Sequence, residues 1–244
     1  MSSVAAVLQA LLVLFLIVVF PLWDRRETAR LKASTDPRAR VRSYQVTIAW
    51  QIVAVAILLL TIPARSLFTP PDAGALGVKL DRGALLPILV GLSAGVILPV
   101  VILKLKARGN PRMANAANPL DAIAFILPRS RAERWWFAAV CVTVGVCEEI
   151  IFRGFMIRWF HDLPPRPSLV AAVLLSAAVF GIDHGYQGWK GILGTFMLAL
   201  VMTALFFVTG TLWVPVAVHA LIDLRALLML PADTSPAPED QIPV

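Results

Sequence analysis

Six side chains in the second half of this 244-residue sequence are ionisable groups or imidazoles set in apolar surroundings: Glu148, Glu149, Arg153, His184, His219 and Asp223. The first three lie in one apolar stretch, from about Trp135 to Phe160. Each charge placed in hydrocarbon there costs roughly 2.5 to 3.5 kcal/mol on insertion scales. Charges kept at that cost point to function. On a helix, Glu149 and Arg153 are four residues apart with the acid N-terminal, the better orientation for an ion pair, while Glu148 points about 100° away. Glu149 is therefore expected to be neutralised by Arg153, which leaves Glu148 as the free carboxylate. His184 and His219 come from two other apolar segments. Either one alone would equally suit a hydrogen bond between helices. A glutamate and two neutral imidazoles converging in a cavity are also what is needed to deprotonate a water and to stabilise the oxyanion formed when it attacks an amide.

The elements that must position these groups are membrane helices. Hydrophobic residues make up 59% of the chain and charged residues only 15%, with a mean hydropathy of +0.79, too apolar for a soluble domain. The formal charge of +7 is spread between apolar segments, and no basic stripe is interleaved with aromatic residues, so topology explains the bases and nucleic acid does not. The two cysteines, Cys141 and Cys147, fall on one expected helix about 9 Å apart at 1.5 Å per residue and cannot bridge each other.

Val4 to Trp23 is an uncharged apolar run long enough to cross a bilayer, and without a basic lead-in or a small-residue cleavage pattern it is expected to be a retained span. The basic stretch Asp24 to Ser43 is expected in the cytoplasm, which puts the N-terminus outside. Tyr44 to Pro63 returns, the loop to Gly83 is external, and Ala84 to Leu103 crosses inward to a basic stretch that includes Lys104, Lys106, Arg108 and Arg112. Asn118 to Arg134 is mixed and suits an interfacial or half-inserted helix, with Trp135 and Trp136 as an aromatic belt. Four more spans follow: the one bearing the glutamates, Ser168 to Asp183, Ile192 to Val208, and Leu212 to Leu230. The expectation is an all-α, polytopic transmembrane helical bundle of seven to eight membrane helices. It forms a single transmembrane domain over 1–230, with its catalytic half at about 129–230 and a disordered Pro-rich tail at 231–244.

Three motifs in order resemble those of the CPBP intramembrane proteases, the group that includes the eukaryotic CAAX prenyl endopeptidase and the bacterial Abi-type proteins. They are Glu148-Glu149 with Arg153 and Gly154, Phe180 with His184, and His219 with Asp223. The stretches Arg131 to Phe137 and Thr209 to Trp213 also look like the family's lead-ins, so the resemblance covers roughly Arg129 to Leu230. It implies an all-helical membrane endopeptidase, commonly drawn with eight helices, in which the glutamate and the first histidine activate water. The segment near Asp121 to Leu127 could supply the eighth helix. The last position of the third motif is Asn or Asp in the family. The Asp223 found here, if ionised, cannot donate to an oxyanion and is expected to orient His219 instead.

Zinc in hydrolases accepts two histidines and a glutamate plus water, and Glu148, His184 and His219 could supply those ligands. The alternative uses Glu148 as general base on a water held by His184. A zinc would compete with Glu148 for that role, and the sequence lacks HExxH, so no cofactor is assigned. Among the remaining residues, Phe180 is expected to pack over the cavity one turn before His184, and Asp183 to face cytoplasmic water at its helix end. Gly181 and Gly185 are expected to allow close helix approach, and Arg225 to snorkel to the cytoplasmic interface. The expected partners are membrane lipids and a peptide or protein substrate that could be prenylated, and the expected location is a bacterial inner membrane. Two other classes fit less well. A proton-coupled carrier would show polar interruptions in both halves, and they occur only in the second. A non-catalytic scaffold or immunity protein would be expected to have lost one of the motifs.

Overall fold

The computed structural model describes residues 3–72, 82–109 and 120–230, which form helices joined by short turns, with no strand among them. The helices are α1 (Ser3–Ala33), α2 (Ala39–Thr61), α3 (Ala64–Phe68), α4 (Leu85–Gly109), α5 (Arg131–Asp162), α6 (Leu169–Asp183), α7 (Gly188–Thr209) and α8 (Trp213–Met229). The tail 231–244 and the stretches 73–81 and 110–119, with Arg112 and Asn118, lie outside the described residues. Four helical stretches are long and apolar enough to cross a membrane: Ser3–Ala33, Ala39–Thr61, Arg131–Asp162 and Gly185–Thr209. At 15 and 17 residues, α6 and α8 rise only about 22 and 26 Å at 1.5 Å per residue, short of a hydrocarbon layer of about 30 Å.

The segment expected to supply an eighth helix does not form one. Only a single 3-10 turn exists there, Asp121–Ile123, followed by irregular turns. Eight residues between Pro119 and Pro128 are too few to offset the cost of nucleating a helix, and the second proline stops it at its end. The chain here is instead a cover. Leu120 and Leu127 pack with Tyr44, Phe137 and Ala226, and the Tyr44 hydroxyl donates to the Ile126 carbonyl. The glycine-rich turn after His184 is also shorter than expected, because Gly188 with φ 78° turns the chain and α7 starts at once.

Local signals explain where the long helices begin and end. Ser130 caps α5 by accepting from the Glu133 amide at 3.2 Å, and Ser168 caps α6 through the Ala171 amide at 3.2 Å. Gly210, left-handed at φ 69°, ends α7. Polar ties then set which helix ends lie together. Arg40 reaches the Glu133 carboxylate at 3.1 Å at one end of the bundle. At the other end Arg158 donates to the Thr69 carbonyl at 2.7 Å and the Leu212 amide to the Phe68 carbonyl at 3.2 Å. The loops on either side of α2 therefore lie at opposite ends, as the charge pattern requires.

Leu60, Leu86 and Leu221 are exposed on the outside, which suits helices whose solvent is hydrocarbon. The core is built around a π-type segment of α5, Glu149–Met156, in which every residue is buried. Ile151, Phe152, Phe155 and Met156 pack there with Leu58, Leu67, Leu169, Phe180 and Phe206. Two glycines set its close contacts. A Cβ on Gly154 would stand 2.5 Å from the Leu67 carbonyl oxygen, and one on Gly145 would stand 2.9 Å from the Ala220 nitrogen. Gly145 thus lets α8 press its backbone onto α5 one residue after His219. Gly145→Ala should spread these helices and cost about 1–3 kcal/mol as overpacking. Thermal unfolding in detergent should show a lowered midpoint for it. Gly194→Ala should leave the midpoint unchanged, since a Cβ there meets nothing within 4 Å.

Candidate active site

The pressed pair α5 and α8 brings Glu148, Glu149, His219 and Asp223 into one cluster. The Glu149 carboxylate lies at its base and is fully buried. Its Oε1 is 3.0 Å from an Arg153 guanidinium nitrogen and accepts from His219 Nδ1 at 2.8 Å. The i→i+5 bonding of the π segment widens the helix at this point, a distortion common where helices carry functional groups. Arg153 also sits over Phe180, its guanidinium carbon 4.5 Å from the ring centroid, so the buried cation has both an anion and a π face.

With Nδ1 bound to Glu149, His219 turns Nε2 toward two further carboxylates. Glu148 Oε2 is 3.9 Å from it and Asp223 Oδ2 is 3.6 Å. Both gaps exceed a direct hydrogen bond, and at such distances a water can stand between the groups. The ring is thus tied by Glu149, and Asp223 approaches it from the opposite nitrogen.

Glu148 has one oxygen held and one open. Its Oε1 accepts from the Gln51 side-chain amide of α2 at 3.0 Å, while its Oε2 is buried without a hydrogen-bond partner among the described residues. Gln51 was not singled out from the sequence, although the signal was there. It is an amide in the middle of an otherwise apolar span, and such a residue seeks a partner across the helix interface. In the structure it is 1% exposed.

His184, which ends α6, joins the cluster through Phe180. Its Nδ1 lies 2.7 Å from the Phe180 carbonyl, which can only accept, so Nδ1 carries the proton and Nε2 is the ring's free acceptor. The Phe180 ring touches both imidazoles, 4.5 Å from that of His184 and 6.1 Å from that of His219. Phe180 also packs edge-on against Phe152 of the π segment, and Ser176 ties the same helix to the Phe152 carbonyl at 2.9 Å. Above His184, at the end marked by Arg40 and Glu133, Tyr186 lies 5.9 Å away between ring centroids. Phe125 covers Tyr186 edge-on at 6.1 Å, with the Lys32 ammonium 4.8 Å over Phe125.

Two expectations for neighbouring residues change. Asp183 does not face water: it is 6% exposed, and neither carboxyl oxygen has a hydrogen-bond partner among the described residues. This end of α6 packs against α1. Gly181 does allow close approach, with a Cβ there 2.9 Å from the Ile192 carbonyl, but Gly185 faces open space. As for zinc, no three His, Cys, Asp or Glu side chains among the described residues form a group that could hold a metal ion. The candidate set Glu148, His184 and His219 does not fit a three-ligand site, and no step is derived through a metal.

Residues 130–225, which carry Glu148, Glu149, Arg153, Phe180, His184, His219 and Asp223 but not Gln51, match a family model described as type II CAAX prenyl endopeptidase Rce1-like. Comparison with curated proteins and with solved structures found no match.

Proposed function

We propose, for a chain that belongs through residues 130–225 to the Rce1-like CAAX protease family, that it is an endopeptidase working by a Glu148-activated water. It is a multi-pass membrane protein that acts as a protease on a peptide or protein. The observation that carries the mechanism is the open Oε2 of Glu148, buried, without a hydrogen-bond partner among the described residues and 3.9 Å from His219 Nε2, with Oε1 fixed by Gln51. A water in that gap gives its proton to Glu148 Oε2 as its oxygen attacks the carbonyl carbon of the scissile amide. His184, with Nδ1–H spent on Phe180, accepts at Nε2 a hydrogen bond from the O–H that the attacking water keeps. His219 is held by Glu149, and its protonated form donates from Nε2 to the carbonyl oxygen as that becomes an oxyanion. Glu148 then returns the proton to the leaving nitrogen, the C–N bond breaks, and the carboxylate is restored. Asp223, beside the same Nε2, keeps that proton on the ring between turnovers.

The basic ends of α1, α2 and α5 lie at the end where Tyr186 and Phe125 cover His184. We take that end as cytoplasmic, with the N-terminus outside, seven membrane passages in all and the substrate entering from the cytoplasmic side. A bacterial inner membrane fits this charge pattern. The decisive experiment uses purified protein in lipid and a fluorogenic peptide ending in a CAAX sequence, with and without a prenyl group, in chelator or in its absence. Cleavage that survives chelator and is lost in Glu148→Gln supports the reading. Cleavage abolished by chelator and restored by zinc would overturn the metal-free water. A prenyl dependence of at least about tenfold in kcat/KM would identify the substrate as prenylated.

A further inference from the structure

Away from the glutamate cluster, α4, α7 and α8 leave a cleft of about 600 Å³ between them, within the size range of ligand clefts. Its floor is apolar, and its walls contain glycines whose usual role does not explain them. In membrane helices small residues let backbones touch. Here a Cβ on Gly91 or Gly95 of α4, or on Gly194 of α7, would meet nothing within 4 Å. The missing side chains widen a groove that no helix among the described residues fills. Among the described residues, two charged side chains line the cleft, Lys190 and Arg225, both cationic. Lys190 stands in the first turn of α7, with its ammonium 5.8 Å from the exposed Trp189 ring, and Arg225 stands on α8. Asp223, the nearest acid in sequence on α8, is turned to His219 instead. From Lys190 the groove follows α7 as far as Val201, roughly 16 Å at 1.5 Å per residue. A cationic rim at one end of an apolar trough is the shape and charge of an amphiphile with an anionic head.

We propose that this cleft is a binding site for an anionic phospholipid, with an acyl chain in the glycine-walled groove and the headgroup phosphate on Lys190 and Arg225. A phosphate answers both cations, whereas a zwitterionic headgroup returns a positive charge to the same rim. The site is separate from the Glu148 cluster and does not depend on the reaction assigned to it.

The test reads binding alone. Full-length protein in neutral detergent is titrated with phosphatidylglycerol or with phosphatidylcholine of the same chains, and bound lipid is counted by native mass spectrometry. Phosphatidylglycerol should bind at least about tenfold tighter, and added salt should weaken it. Lys190→Gln with Arg225→Gln should remove that preference while leaving phosphatidylcholine binding unchanged. Gly194→Phe should weaken both lipids, and if that variant does not fold, the rim variants alone decide the matter. Equal affinity of the wild type for the two lipids overturns the proposal, as does a rim variant that keeps the preference. Displacement of phosphatidylglycerol one for one by a prenylated peptide would give the cleft to the substrate and overturn it equally.

Discussion

Glu148→Gln should lower peptide cleavage by at least about 10²–10⁴-fold, the span ordinarily contributed by a general base, and should leave the thermal unfolding midpoint close to that of the wild type. The substitution is nearly isosteric, and its amide oxygen still accepts from Gln51, so the packing at this corner of α5 is kept. What disappears is the basic oxygen at the open position, 3.9 Å from His219 Nε2. Gln51→Leu provides the graded companion. Losing one hydrogen bond to a carboxylate is worth about 1.5–3 kcal/mol, so kcat should fall roughly ten- to a hundredfold while KM holds. A merely structural role for Gln51 would lower the midpoint and leave kcat per folded molecule as it was. Wild-type cleavage in Glu148→Gln would remove the base from the mechanism altogether.

The parts of this arrangement that could be read from the chain are those written locally. Apolar runs broken by basic loops give the helices and their relative sidedness, because charge and hydrocarbon separate within a few residues. The Glu149 and Arg153 spacing is visible for the same reason: an i,i+4 pair is a neighbour on any helix. The contact that organises the cluster is not local. His219 reaches Glu149 across 70 residues of sequence, through a packing of α5 on α8 that Gly145 permits, and a glycine inside an apolar run carries no sign of which helix it will meet. The π segment leaves no trace either, since a change from i→i+4 to i→i+5 bonding over the eight residues Glu149–Met156 does not alter composition. Asp183 was misjudged because an apolar run that ends in an acid normally ends in water. Here that end of α6 packs against α1, a contact between distant stretches that the run itself does not encode. The cover formed by Leu120 to Leu127 was misjudged in the other direction, because its apolar residues pack against Tyr44 and Phe137 without needing helical periodicity.

Glu149→Ala should destabilise the protein by about 3–5 kcal/mol, the cost of leaving a buried ion unpaired. The reason is that one carboxylate oxygen serves two partners. It faces Arg153, which is 1% exposed, and it orients His219. These two roles can be separated. Arg153→Met alone should destabilise comparably, because it strands the carboxylate in place of the guanidinium. The double variant Glu149→Leu, Arg153→Met removes both charges and fills the volume with hydrocarbon, so its stability should return most of the way to wild type, as buried pairs replaced by apolar residues commonly do. Its activity should not return, because His219 then has no partner at Nδ1 and neither its tautomer nor its ring orientation is fixed. Unfolding midpoints in detergent measured beside cleavage rates decide between the roles. Recovery of stability without activity assigns Glu149 to both the ion pair and the histidine. Recovery of the two together would mean that His219 does not need Glu149, and the mechanism would then have to place the orienting contact on Asp223, across the 3.6 Å gap to Nε2.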